Sequence, residues 1–279
     1  MIEFITESLL LLPFLFVTYL VLEALEAHTG GALEKFLERS SSLGPLAGAL
    51  AGVIPQCGVS AVAASFYAGG VVTVGTLIAV FLSTSDELLP VLVATPDFPV
   101  SLLIKIAALK VAGAIIAGFC INGILRFIRH YRRSVSVSDL CEHSHCSCRE
   151  CKGIVVPALI HTLEIFVFIV AISGAIELAL HYLGEDCLMK LQLTKPLLGE
   201  LAAGVLGLVP NCAVSVASAK LYLAGAMSPG ALMASSFVGS GVGLLVLFRT
   251  NRNLFENLSI FVTIYICGTG LGYLTGFLL

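Results

Sequence analysis

The chain has 279 residues, of which 58% are hydrophobic and 12% are charged, and its formal net charge is −3. Soluble domains carry about 25% charged residues, so this composition, with a mean hydropathy of +1.01, excludes an ordinary soluble domain. The sequence has no basic face and no Trp, so nothing in it indicates nucleic-acid binding. Apolar runs that can enter a bilayer recur from end to end, so a lipid bilayer is the expected surrounding.

The first half contains five apolar segments separated by short polar breaks. Two of them are short: the 14 residues Leu43–Gln56 make about 21 Å of helix, against about 30 Å of hydrocarbon. We therefore expect a re-entrant helical hairpin whose tip is Pro55-Gln56. The five segments are Ser8–Ala27, Leu43–Ile54, Cys57–Gly70, Val74–Ala94 and Val100–Ile128.

A polar loop over residues 129–152 divides the chain and is dense in metal-binding residue types. Four Cys and two His fall within eleven residues, and a tetrahedral zinc site needs four such ligands. The loop predicts a flexible Zn or Cu(I) site; the alternative is a solvated, reduced loop without metal. The candidate ligands are Cys141, His143, His145, Cys146, Cys148 and Cys151.

The second half repeats the order of the first. Its segments are Gly153–Leu183, Lys195–Val209, Cys212–Ala226, Pro229–Phe248 and Leu254–Leu279. A shift of 155 residues without a gap superimposes the rarer residue types of the two halves. The matched pairs are Pro55 with Pro210, Cys57 with Cys212, Ser60 with Ser215, Tyr67 with Tyr222, Gly70 with Gly225, Gly75 with Gly230 and Ser85 with Ser240.

An odd number of segments per half turns the second half upside down relative to the first, the plan of many secondary transporters. The predicted fold is an all-α polytopic membrane protein with two inverted five-segment repeats, each with a re-entrant helical hairpin. The repeats are residues 1–128 and 153–279. The expected location is the plasma (inner) membrane. Basic residues place the central loop and a second loop, in the second half, in the cytoplasm, with both termini outside. They are Arg126, Arg129, Arg132, Arg133, Arg249 and Arg252.

The two hairpin tips offer matching amides, thiols and hydroxyls at the middle of the membrane. Thiolates favour soft ions such as Cu(I), Zn(II) or As(III), although a buried Cys is more often a small hydrophobe. The Pro and the amide beside each thiol favour a substrate site. Its candidate residues are Gln56, Cys57, Ser60, Asn211, Cys212 and Ser215, with Ser85 and Ser240 from the following segments.

Asp86 and Glu87 interrupt an apolar run that otherwise predicts a spanning helix. Each isolated acid costs about 2.5–3.5 kcal/mol on insertion scales, so both should face protein or a cavity. The second half has Gly241 and Val242 there, which leaves the acids unmatched. Cation coupling or proton relay is the functional interpretation, and interfacial or protonated acids are the alternative. His161 and Glu164, one helical turn apart, are a second candidate pair, for metal coordination or proton relay. A structural His–Glu pair is the alternative.

Four motifs carry a resemblance to a known family. They are Glu7-Ser-Leu-Leu-Leu-Leu-Pro-Phe-Leu-Phe, Pro55-Gln-Cys-Gly, Tyr67-Ala-Gly and the run Gly75-Thr-Leu-Ile-Ala-Val-Phe-Leu-Ser-Thr-Ser-Asp-Glu87. The chain resembles the ten-helix heavy-metal exporters, also labelled manganese transporters and distantly related to arsenical permeases. The resemblance covers most of the chain except the Cys/His loop, and it implies membrane efflux of a metal or metalloid.

The predicted function is secondary-active export of Mn, Zn, Cu or As from the cytoplasm, with proton exchange as one means of coupling. No Walker-type loop occurs, so an ion gradient supplies the energy. The expected partners are the bilayer and the ion, with no nucleic acid, no required cofactor and no enzymatic activity; a homo-oligomer is compatible. The alternatives are a transporter of an anion or small organic solute, a membrane-embedded metalloenzyme and a metal sensor.

Overall fold

The computed structural model describes residues 16–17, 20, 43–53, 57–84, 88–95, 98–127, 159, 162–163, 166–167, 170–171, 194–209 and 212–279. Every regular element in these ranges is an α-helix. In the first half the helices are α1 Gly44–Gly52, α2 Cys57–Ala68, α3 Val74–Ser83, α4 Leu88–Ala94 and α5 Val100–Phe127. In the second half they are α6 Leu198–Gly207, α7 Cys212–Leu223, α8 Pro229–Val238, α9 Gly243–Thr250 and α10 Leu254–Gly276.

The spacing of 155 residues in the sequence recurs in the helix bounds. Helices α2 and α7 begin and end on residues 155 apart, and so do α3 and α8. Helices α4 and α9 also start 155 residues apart, at Leu88 and Gly243. Local structure therefore follows the duplicated sequence residue by residue in this part of the chain.

The turns and caps between these helices repeat at the same spacing. Gly70 and Gly225 have φ of 74° and 72°, a conformation in which only Gly avoids a steric penalty. Their amides donate to the Tyr67 and Tyr222 carbonyls, both at 3.0 Å. The next helix in each half then opens with a hydroxyl cap: Thr73 and Ser228 accept the amides of Thr76 and Ala231.

The two long apolar runs that follow α2 and α7 are discontinuous helices, whereas the sequence predicts each as one spanning segment. The first run breaks after α3, where Thr84 leaves the helix with ψ of 130°. The second breaks after α8 over residues 239–242, where Gly239 has ψ of 82° and Gly241 has φ of 55°. Apolar composition predicts the length of such a segment, but it does not reveal a local departure of the backbone from helix.

The discontinuous helices lie at the centre of the molecule and the long helices lie outside them. Every residue of α3 from Gly75 to Ser83 is buried, and α8 is buried along nearly its whole length. Helices α5 and α10 instead expose apolar side chains such as Ile116 and Ile266. Among the residues that the structure describes, three segments can cross a membrane by length and composition: α5, α10 and the interrupted Pro229–Thr250.

Glycines let α1 and α6 each lie directly against a central helix. A methyl group on Gly52 of α1 would lie 2.7 Å from the Val80 carbonyl oxygen of α3. A methyl group on Gly207 of α6 would overlap the carbonyl of Ser235 on α8 in the same way. Gly207 lies 155 residues after Gly52, and Ser235 lies 155 residues after Val80. The packing between these helices therefore repeats at the spacing found in the sequence.

Corresponding long helices of the two halves run antiparallel where they meet. The Lys105 ammonium donates to the Leu278 carbonyl at 2.6 Å, and Gly113 faces the Leu271 side chain. Residue numbers thus rise from Lys105 to Gly113 in the first half, while those of their partners fall from Leu278 to Leu271 in the second.

The two halves also interlock through their shorter helices. Helix α2 of the first half packs against α9 of the second, and α7 of the second half packs against α4 of the first. Helix α3 contacts both α8 and α10. Burial of the central helices therefore depends on both halves together.

Candidate functional site

The broken ends of α3 and α8 meet at one buried basic side chain, Lys110 of α5. Its ammonium donates to the Thr84 carbonyl at 2.6 Å, to the Ser236 carbonyl at 2.8 Å and to the Ser236 hydroxyl at 2.6 Å. Thr84 follows the last residue of α3, and Ser236 lies in the last turn of α8. One cation therefore joins the carboxyl ends of two helices, one from each half.

Lys110 is buried between helices, and only 1% of its surface is exposed. It is about 15 Å along α5 from Val100 and about 25 Å from Phe127 at 1.5 Å per residue, so it is far from both ends of a helix that is long enough to cross a membrane. The ring of Phe237 lies below the ammonium, 5.8 Å from its centroid, at the distance of a cation–π contact. A charged side chain at such depth marks an ion pathway or relay by default.

Helix α2 contacts the second helix break. A methyl group on Gly243, the first residue of α9, would lie 2.7 Å from Ser60 Cβ and 2.7 Å from the Phe81 ring. Ser60 and Ser240 are both buried, and the Gly243 amide donates to the Ser240 carbonyl at 3.3 Å. Two of the predicted substrate residues, Ser60 and Ser240, thus come from opposite halves to one region.

Helix α7 of the second half also carries hydroxyl groups. Ser215 is half-buried on α7, and Ser218 on the next turn forms a 3.0 Å hydrogen bond with Ser235 of α8. Cys57 and Cys212 start α2 and α7, but their side chains lie outside the described part of the structure. The remaining predicted residues also lie outside the described residues: Gln56, Asn211, Ser85, Asp86, Glu87, His161, Glu164, Cys141, His143, His145, Cys146, Cys148 and Cys151.

A second polar cluster lies where α2 meets the turn between α9 and α10. The Tyr67 hydroxyl donates to Glu256 Oε1, and Asn251 donates to Glu256 Oε2 at 3.5 Å. Asn251 also donates to Asn257 Oδ1 at 2.6 Å, and Asn257 donates back to the Asn251 carbonyl at 2.7 Å. These four side chains are buried, so the cluster is a polar link between the halves.

Glu200 is a buried acid of a different kind. It lies in the first turn of α6, is 5% exposed, and presses its Oε1 against Gly230 at the start of α8. Its Oε2 has no hydrogen-bond partner within the part of the chain described. The same described ranges contain no group of three or more His, Cys, Asp or Glu that could hold a metal ion.

Lys110, Tyr67–Glu256 and Glu200 are absent from the site that the sequence predicts. Lys110 could have been found as a charge near the middle of a 28-residue apolar segment. Glu200 and Glu256 each stand near the start of an apolar run, and nothing in the sequence around them indicates burial. Their burial depends on helices that are distant along the chain.

An all-helical chain whose apolar helices are long enough to cross a membrane is a multi-span membrane protein. Residues 9–193 match the family described as "Putative, 10TM heavy-metal exporter". The chain belongs to this family, as its motifs predict, and with it to the class of membrane transporters. The match includes α1–α5 and ends before α6. No curated protein and no solved structure is significantly similar to the chain.

Proposed function

We propose that this protein is a secondary-active transporter that exports a heavy-metal or metalloid ion, namely Mn, Zn, Cu or As, from the cytoplasm across the plasma membrane. The observation that carries the proposal is the meeting of two broken helices from opposite halves at a buried charge, Lys110. Unwound backbone at membrane depth is tolerated where it lines protein or a cavity, and broken helices at a repeat interface typically hold the cargo.

The two membrane domains, residues 1–128 and 153–279, are inverted repeats that rock against each other. Support comes from the antiparallel contact of α5 with α10. It also comes from the caps: the Thr73 hydroxyl accepts from Asn122 near the carboxyl end of α5, while Gly230 lies against Gly272 and Gly276 near the carboxyl end of α10. The amino ends of α3 and α8 then face opposite sides of the membrane, and each preceding helix pair is a re-entrant hairpin.

The cargo is held between the hairpin tips and the helix breaks. The thiolates of Cys57 and Cys212 coordinate a soft ion, and the neighbouring amides and hydroxyls provide oxygen ligands. The approach of α2 to the start of α9, through Ser60 and Gly243, supports this arrangement. The oxygen ligands are Gln56, Ser60, Ser85, Asn211, Ser215 and Ser240. Proton exchange falls to Asp86, Glu87, His161 and Glu164.

Transport in inside-out vesicles tests the proposal. Vesicles containing the protein should accumulate one of the four ions when a pH gradient is imposed, and control vesicles should not. Cys57→Ser and Cys212→Ser should weaken uptake of a soft ion at least tenfold, because a hydroxyl is a poor ligand for it. Cys120→Ser, which changes an exposed thiol on α5, is the matched control. Uptake of all four ions equal to that of control vesicles would contradict the export function.

The loop over residues 129–152 is proposed to capture metal on the cytoplasmic side through its Cys and His residues. Deleting residues 141–151 should raise the ion concentration needed for half-maximal uptake, while the maximal rate stays unchanged. Uptake with the same concentration dependence after the deletion would confine this loop to regulation.

A second candidate function is transport of an anion or a small organic solute. The buried positive charge of Lys110 favours it, since an anionic cargo could pair with the ammonium. In the vesicle assay this candidate predicts uptake of an oxyanion such as arsenate and none of the metal cations. Lys110→Met would then abolish uptake, whereas metal export through the hairpin-tip thiols would depend mainly on Cys57 and Cys212.

A further inference from the structure

The carboxyl ends of α3 and α8 create a concentration of negative partial charge inside the membrane. The last carbonyls of a helix lack intrahelical donors, and the helix dipole adds about half a negative charge at this end. Thr84 and Ser236 present such carbonyls to the same point from two different helices. An environment of this kind stabilises a cation and repels an anion.

The ligand set around that point is one that binds cations. Two carbonyl oxygens and the Ser236 hydroxyl lie 2.6–2.8 Å from Lys110 Nζ, and the Phe237 ring faces the same nitrogen. An ammonium carries three donors and no acceptor, so these oxygens suit it. Backbone carbonyls and hydroxyls are also the groups that replace the hydration shell of free cations in membranes.

The resident charge is provided by one half only. The position matching Lys110 in the second half is Tyr265, whose hydroxyl donates to the Leu201 carbonyl at 3.1 Å. Lys105, one and a half turns earlier on α5, is exposed and bonds to Leu278. The buried ammonium is thus a specific feature of position 110 and does not follow from the repeat.

We propose that the ends of α3 and α8 form a binding site for a small monovalent cation, and that the Lys110 ammonium permanently occupies it as a tethered cation. The part that concerns coupling rests on the proposed transport function: because the site carries its own charge, the wild-type protein needs no Na⁺ to hold the two broken helices together. Removing the side chain vacates the site for a free cation of the same chemistry, such as methylammonium.

The test compares melting temperatures of the purified full-length protein in choline chloride, with and without methylammonium chloride. Lys110→Ala should melt below the wild type and should regain about 2–4 °C with methylammonium, the shift typical of one bound ligand in a chain of this size. Lys110→Met fills the space without a charge, and Lys105→Ala removes a lysine elsewhere on α5. The melting temperatures of Lys110→Met, Lys105→Ala and the wild type should not change with methylammonium. Tetramethylammonium, which has no N–H donor, should rescue none of them.

An equal response of Lys110→Ala, Lys110→Met and wild type to methylammonium would overturn the cation site. If Lys110→Ala yields no folded protein in choline, its yield of monodisperse protein after purification throughout in methylammonium gives the same comparison, and an unchanged yield would overturn the proposal equally.

The coupling part is tested by wild-type uptake in vesicles with Na⁺ replaced by choline. An unchanged rate supports the tethered cation, and a rate that depends on Na⁺ overturns it. Because melting requires no cargo, a wild type that moves none of the four ions overturns the proposed transport function alone, and the melting comparison still decides the cation site.

Discussion

Tyr67 and Tyr222 stand at matching positions of the two halves but have different surroundings. Each closes its helix with a carbonyl that accepts from a glycine amide. Tyr67 is buried and also donates its hydroxyl to Glu256, whereas Tyr222 is half-buried. A shared turn has therefore gained a further role, a polar link between halves, on one side only.

Tyr67→Phe should destabilise the protein by about 1–3 kcal/mol, because it leaves a buried carboxylate without one of its donors. The melting temperature of the detergent-purified protein measures this loss. Tyr222→Phe makes the same chemical change at the matching position and should shift the melting temperature far less. Equal shifts for the two variants would show that the Tyr67–Glu256 contact contributes nothing to stability.

Two buried acids should respond in opposite directions to the same substitution. Glu200→Gln should leave the melting temperature unchanged or raise it, since the structure gives Glu200 Oε2 no hydrogen-bond partner among the residues it describes and burying a charge is costly. Glu256→Gln should lower the melting temperature, because the amide cannot replace a carboxylate that accepts from both Tyr67 and Asn251. A larger loss for Glu200→Gln than for Glu256→Gln would contradict this assignment.

At the scale of helices, the contact of α2 with α9 depends on a missing side chain at Gly243. Gly243→Ala places a methyl group 2.7 Å from Ser60 Cβ, so the helices must separate at a cost of about 1–3 kcal/mol. The variant should melt earlier and lose transport activity. Gly270→Ala on α10, where a methyl group would meet nothing within 4 Å, should be neutral or slightly stabilising. A Gly243→Ala protein that behaves like Gly270→Ala would rule out a tight α2–α9 contact.

The helices themselves could be predicted well because their boundaries depend on local chemistry. Pro, Gly and a capping hydroxyl act within a few residues, and these types recur at a spacing of 155 in the sequence and in the helix bounds. The interruptions after α3 and α8 could not be predicted from hydropathy, because each is a few residues long and apolar residues continue the run beyond it. Asp86 and Gly239 were the visible signals, and either one alone is compatible with a continuous helix.

The candidate site could be predicted only in part, for a related reason. Ser60 and Ser240 follow from the repeat, since both are residue types retained at matching positions. The importance of Lys110 lies in its contacts with Thr84 and Ser236, which are 26 and 126 residues away in the sequence. Contacts between residues so far apart in the sequence depend on how the helices pack, and no local sequence pattern on α5 predicts them.

For the whole molecule, inverted repeats make a prediction about topology. The turns after α2 and α7 should face opposite sides of the membrane: Val71 the cytoplasm and Ala226 the outside. In a background without native cysteines, an impermeant maleimide should label Ala226→Cys in intact cells and should label Val71→Cys only after permeabilisation. Labelling of both positions from the same side would rule out the inverted arrangement.

The interlocking of the halves has a consequence for how the protein is made. Helix α2 is synthesised long before α9, the partner that covers it, and α4 long before α7. During translation the first half must therefore remain in the membrane, with α2 and the end of α3 uncovered, until more than 100 further residues have been inserted. Premature release or a stalled ribosome would leave Lys110 facing lipid, so the nascent first half should be an early substrate for membrane quality control.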